Sequence, residues 1–159
     1  MMRSIVDRVT ERLATIDPDH EEDYLDNAGA LDAQLSALDR EFSDGLESCR
    51  TRDIVTSHAA FGYLAARYDL NQISISGIDP EAEPSPGRLA EVARFVKEND
   101  VNTIFFEELV SPDVAETIAS ETGASTEMLS PLESQPESGD YIDAMKANLA
   151  ALIEALECD

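Results

Sequence analysis

The sequence predicts an α/β protein: an open four-stranded parallel sheet flanked by helices and preceded by a long backbone helix. Three observations predict it. From residue 53 onward, four short β-rich runs, "DIVT", "QISI", "NTIFF" and "STEML", each lead into a helical pattern. The connections are short, and two carry helix-starting signals, Ser85-Pro86 and Ser111-Pro112. Upstream of them, apolar residues recur at helical spacing and not in alternation.

In order along the chain, the opening helix places Ile5, Val6, Val9, Leu13 and Ile16 on one stripe and ends at "DPDH". The second carries Ala28, Leu31, Leu35, Leu38, Phe42, Gly45 and Cys49 at spacings of three and four. That keeps one seam aligned over about thirty residues, and without e/g charge complementarity it reads as a brace across a domain. Residues 1–17, 18–52 and 53–159 are read as an opening helix, a long linking helix and an α/β lobe. "DIVT" (53–56) leads to a helix over 58–68 with Ser57 as its N-cap, and "QISI" (72–75) to one over 86–98. "NTIFF" (102–106) leads to a helix over 112–122 closed by Gly123. "STEML" (125–129) leads through "SPLESQPESG" to a terminal helix with the stripe Ile142, Met145, Leu149, Leu152 and Leu156.

A chain of 159 residues with 43% hydrophobic content can bury a real core. No run approaches the ~20 apolar residues that span a bilayer. The first residues, "MMRSIVDRVTERL", lack the apolar core and cleavage site of an export signal. Thirty-four acidic residues against 11 basic ones give a net charge of −23, scattered along the chain and not blocked at one end. Such a surface repels nucleic-acid phosphates and anionic membranes, which argues against nucleic-acid partners. It fits a protein kept soluble at high salt, from a halophilic source. Cys49 and Cys158 are too far apart for a zinc knuckle or a C-x-x-C motif. A bridge between them would close a loop worth about 4–5 kcal/mol in the chain-entropy model, whereas a reducing cytosol leaves two thiols.

In open α/β sheets, ligands sit beyond the carboxyl ends of the strands. There the sequence delivers His58 after the first strand, Glu81 and Glu83 after the second, Glu107 and Glu108 after the third, and Glu133 after the fourth. Carboxylates are cheap in so acidic a chain, and adjacent Glu107 and Glu108 read as a solvated pair. Histidine is scarce: the other, His20, lies in the acidic turn "DPDHEEDY" as a surface residue. In the first turn of a helix, His58 is disfavoured as an imidazolium, and the neutral form is the one that binds metal. Other chemistries lack their motifs: neither G-x-G-x-x-G nor G-x-x-x-x-G-K occurs, nor a G-x-S-x-G elbow.

The stretches "IVTSHAAFGYLAARY", "GIDPEAEPSPGRLAEV", "TIFFEELVSPDVAETIASETGA", "LSPLES" and "DYIDAMKANLAALIEAL" occur in that order. Together they resemble the C-terminal lobe of zinc- or manganese-binding ABC-transporter solute-binding proteins of the high-affinity zinc-uptake type. "DPDHEEDYLDNAGALDAQLSALDREFSDGLESC" resembles the helix that joins the two lobes there, which makes residues 1–17 the last helix of the other lobe. The resemblance implies a non-catalytic protein that hands metal to a membrane permease outside the cell membrane, without inserting into the membrane itself.

It also implies a site of four ligands between two lobes. Two are histidines of an N-terminal lobe that this sequence does not contain. The third is His58 and the fourth is Glu133 of "SPLE". An imidazole at the third place suits zinc ahead of manganese. Glu83 and Glu107 match recurrent acids of the cleft loops and are expected to orient His58. Outside the membrane Cys49 and Cys158 oxidise, and each ends a helix, so the resemblance supports a disulfide between them. With two of four ligands, the lobe alone is expected to hold zinc weakly, and the stripe of Ile5, Val9, Leu13 and Ile16 to lack cover. Three histories fit: a separately encoded N-terminal lobe, a truncated gene, or a start upstream of Met1, the last two ranking first. The competing reading is an acidic α/β interaction module that docks a partner through Leu31, Leu35, Leu38 and Phe42 without metal. A hydrolase using Glu107 or Glu133 rests only on acid abundance.

Overall fold

Asp17 and Pro18 split the N-terminal helical region in two. The computed structural model describes residues 2–79, 82–108, 111–136 and 138–159. It divides into two units, Met1–Asp44 and Gly45–Asp159. In the first, α1 (Met2–Ile16) is followed by a 3₁₀ turn (Pro18–His20) and α2 (Glu21–Gly45). Proline restricts the residue before it, and Asp17 leaves the helical region at φ −134° and ψ 74°. The Asp17 carboxylate meets His20 Nδ1 at 2.9 Å and accepts from the Tyr24 hydroxyl at 2.8 Å. Arg3 of α1 pairs with Asp32 of α2. Of the α1 stripe, Ile5, Val9, Leu13 and Ile16 are exposed, Val9 at 52% and Ile16 at 66%.

On α2, Leu35, Leu38 and Phe42 are buried and only Leu31 of the expected docking seam is exposed. Three of the four residues expected to form a docking seam are therefore not exposed to a partner, which corrects the docking expectation. The helix also stops seven residues short of residue 52. Beyond Gly45 the backbone groups are taken by the C-terminal segment: Arg50 N–H donates to the Leu156 carbonyl at 3.1 Å, and Asp159 N–H to that of Ser48 at 3.0 Å. Arg52 caps the Leu46 carbonyl, and Cys49 is joined to Cys158 in a disulfide.

In the second unit, β1 (Asp53–Thr56) and β3 (Thr103–Phe106) are the central strands, while β2 (Asn71–Ser74) and β4 (Ser125–Met128) are the edges. All pairs are parallel, in the order β2-β1-β3-β4. Ile54, Val55, Ile104 and Phe105 are buried although neighbours in a strand point to opposite faces, so both faces of the sheet are covered. The Val55 and Ile104 face packs with Val92, Ala93 and Val96 of α4 (Pro86–Glu98) and Ala115, Ile118 and Ala119 of α5 (Asp113–Thr122). Helix α3 (Gly62–Tyr68) packs on β2, and α6 (Tyr141–Leu156) on β4.

Two of the expected caps form, at Ser85 and Gly123, whereas α5 starts at Asp113 without a side-chain cap. Ser85 accepts from Arg88 N–H at 3.2 Å, and Gly123 closes α5 at φ +86°, a conformation glycine adopts without a Cβ clash. Asp140 and Asp143 make a reciprocal capping box on α6, whose expected stripe includes buried Leu149, Leu152 and Leu156. The helix expected from residue 58 starts instead at Gly62. Ser57 cannot serve as its cap because its backbone prolongs the sheet. Its N–H donates to the Phe105 carbonyl at 3.0 Å, and its own carbonyl accepts from Ser76 N–H at 2.8 Å. Among the described residues no helix is long and apolar enough to cross a membrane.

Candidate metal centre

The order β2-β1-β3-β4 reverses direction between β1 and β3, so the crevice at their carboxyl ends is the topological switch point of the sheet. Register decides what meets there. Thr56 is paired with Phe105, and two residues further on each strand stand His58 and Glu107. Both are buried, His58 at 3% and Glu107 at 2% exposure. The Glu107 carboxylate contacts His58 Nδ1 through Oε2 at 2.5 Å and accepts its backbone N–H through Oε1 at 3.3 Å. Opposite, the His58 carbonyl accepts from Thr56 Oγ1 at 2.7 Å and from Gln72 Nε2 at 3.1 Å. Side chain and backbone of His58 are thus fixed from both neighbouring strands.

Electrostatics follow from this enclosure. Burial pushes the Glu107 carboxyl above the usual carboxylate range, and the hydrogen bonds from His58 pull it back. As an acceptor the carboxylate places the imidazole proton on Nδ1 and leaves the lone pair on Nε2. The helix start expected to disfavour an imidazolium is absent, because α3 begins at Gly62; what Glu107 sets is the orientation and tautomer of the ring.

Nε2 faces Glu133. After β4, Leu129 N–H still pairs with the Phe106 carbonyl at 3.0 Å, and the next residue, Ser130, is gripped by buried Asn148 of α6. The chain then turns through Leu132, at φ +59°, and delivers the half-exposed Glu133 carboxylate to 3.9 Å from His58 Nε2. That gap exceeds a hydrogen bond, so neither group satisfies the other. Two ligands held at about 2.0–2.1 Å from a tetrahedral zinc lie about 3.3 Å apart, so the pair needs to close by only about half an ångström.

The other expected residues are placed as follows. Glu83 is exposed and lines a recess with Ser74, Ser76 and Arg88, and no hydrogen bond or ion pair joins it to His58 among the described residues. Glu81 lies outside the described residues. Glu108 is exposed, with Ser134 Oγ at 3.5 Å, while its neighbour Glu107 is buried, so they are not a solvated pair. His20 is exposed in the turn, as expected. Among the described residues no group of three or more His, Cys, Asp or Glu side chains is arranged to hold a metal ion.

The profile of the family described as "Zinc-uptake complex component A periplasmic" matches residues 1–155. The chain belongs to that family. It is 42% identical over 153 residues to the zinc-binding lipoprotein AdcA of Streptococcus pneumoniae, covering 93% of this chain and 30% of that protein. It is 40% identical over 156 residues to the high-affinity zinc uptake system protein ZnuA of Bacillus subtilis, covering 95% and 49%. The fold superposes on the laminin-binding protein of Streptococcus agalactiae with TM-score 0.88 and 42% identity, over 93% of this chain and 58% of that one. For the Zn(II)-bound ZnuA-like domain of S. pneumoniae AdcA the TM-score is 0.78 at 40% identity, over 94% and 58%. The chain therefore spans about half, or less, of the length of these curated zinc-uptake relatives.

Sequence reasoning named His58, Glu107 and Glu133 but missed the groups that hold them. Gln72 sits on an edge strand and Asn148 on an apolar helix face. The polar break at Asn148 between Met145 and Leu149, on an otherwise apolar stripe, is the signal that points to it.

Proposed function

We propose that this chain is the metal-binding lobe of a zinc-uptake solute-binding protein, with His58 and Glu133 as two of four zinc ligands. In this reading residues 53–159 form the lobe, 18–52 the link and 1–17 the last helix of the companion lobe. The other two ligands come from that companion lobe. The protein works outside the membrane and passes zinc, its cargo, to the permease of an ABC transporter. One observation carries the reading: His58 Nε2 and Glu133 Oε1 converge to 3.9 Å at the switch point while Glu107 occupies the opposite nitrogen. The names of the zinc-binding relatives support the choice of metal.

The two ligands differ in a way that suits capture and release. His58 is buried and fixed on the sheet, a ready half-site that costs little ordering entropy. Glu133 is half exposed on a loop, so it adjusts as the metal enters or leaves. A site of two protein ligands plus water holds zinc weakly, which makes the companion lobe the source of high affinity. Zinc titration of the chain against His58→Ala and Glu133→Gln tests the assignment. Saturable one-to-one binding that His58→Ala abolishes and Glu133→Gln weakens to a measurable residue is expected; equal, negligible binding by all three proteins overturns it.

A further inference from the structure

Asn148 is an amide buried at 4% exposure on α6, beside Leu149 and Leu152. Burying an amide is unfavourable unless both halves are hydrogen-bonded, and Asn148 directs both at one residue. Its Oδ1 accepts Ser130 N–H at 2.9 Å, and its Nδ2 donates to the Ser130 carbonyl at 2.7 Å. Among the described residues Ser130 has no strand partner, since the β3–β4 ladder ends with Leu129 N–H on Phe106, and Asn148 stands in for one. From that fixed point the chain turns sharply: Ser130 Oγ accepts Leu132 N–H at 3.2 Å, and Leu132 takes φ +59°, a region a residue with a Cβ seldom occupies. Glu133 follows immediately.

We propose that Asn148 is the positioning residue of the metal-ligating carboxylate. It locks Ser130 at both backbone groups, which forces the turn through Leu132 and sets Glu133 against His58. The role rests on the zinc reading above, and it adds a residue that touches neither the metal nor a ligand. Asparagine is specific to it: aspartate keeps the acceptor but loses the donor, and leucine keeps the volume but loses both.

The test pairs zinc affinity, measured by chelator competition, with the structure of the metal-free chain. Asn148→Asp and Asn148→Leu are compared with Leu152→Ala, a core truncation on the same helix that leaves Ser130 clamped. Both Asn148 variants are expected to lose roughly ten-fold or more in zinc affinity, on the scale of lost outer partners of a metal ligand. Leu152→Ala lowers the melting temperature without that loss. In a Glu133→Gln background the Asn148 substitutions should add nothing further. A loss of equal size in that background, or none in the wild type, overturns the assignment. If the wild-type chain binds no zinc, the zinc reading fails by itself, and the metal-free Asn148→Asp structure decides the positioning role. Leu132 returning to negative φ with Glu133 withdrawn from His58 upholds it; an unchanged 3.9 Å approach overturns it.

Discussion

Glu107 grips His58 at two points, the imidazole Nδ1 at 2.5 Å and the backbone N–H at 3.3 Å, although 49 residues separate them in sequence. The contact orients the ring, fixes its tautomer and makes Nε2 a better donor to a cation. Glu107→Gln retains the shape but loses the charge. Zinc affinity should fall about 10–100-fold by calorimetry or chelator competition. Affinity unchanged within two-fold would show that the buried carboxylate serves packing alone.

Zinc binding to the folded chain should raise its melting temperature in step with metal concentration. At a hundred-fold excess over the dissociation constant the stabilisation is about 2.7 kcal/mol, or about 5–10 °C for a chain of this size. A chelator should reverse the shift, and His58→Ala should never show it. The measurement is differential scanning calorimetry at a fixed protein concentration.

The disulfide spans 109 residues of sequence and ties the segment after α2 to the end of α6. Closing so long a loop limits the unfolded chain by at most about 4.7 kcal/mol, and native bridges typically contribute about 2–4 kcal/mol. Replacing Cys49 and Cys158 together by serine should lower stability by that amount in urea titrations. A thiol reductant should do the same to the native protein and nothing further to the variant. Equal midpoints for the two proteins would contradict this.

His20 and Asp17 should titrate as a pair at the α1–α2 turn. The hydrogen bond that His20 donates to Asp17, then the charge of Asp17, raises the His20 pKa, and the same bond together with that from Tyr24 lowers Asp17. The raised histidine contributes fully below its ordinary value of about 6.5, and the contribution is lost as pH rises through the raised one. The lowered carboxylate contributes above its ordinary value of about 3.9, and that is lost as pH falls through the lowered one. The turn is therefore best held in the window between those ordinary values. Both groups are exposed, so the effect is read by NMR titration of the His20 ring. Asp17→Asn should bring its midpoint back toward 6.5.

Short-range signals are legible in the residues themselves. Strand composition, the Ser85-Pro86 cap, Gly123 and the α6 stripe all act over a few residues, so four parallel strands and their following helices can be read in order. The resemblance of "TSHAAF" and "SPLE" to a known site marks His58 and Glu133. Two expectations fail because partners far along the chain claim the backbone. Ser57 is taken by Phe105 of β3 and by Ser76 just beyond β2, and cannot cap a helix at His58. Residues 48–51 are taken by 156–159 and cannot prolong α2.

By itself, then, the sequence determined the class of fold, its helix boundaries to within a few residues at most ends, and which residue types stood at the strand ends. Tertiary structure decided which of those acids mattered. Register between β1 and β3 selected Glu107 and not Glu108 as the partner of His58, since successive residues at a strand end face opposite ways. Packing of α6 on β4 brought Asn148 to Ser130 and so aimed Glu133. A carboxylate in water is one of many in this chain. Only when the packed sheet withdraws it from water does it become a group with a fixed partner and a shifted proton affinity, and that withdrawal belongs to the whole fold.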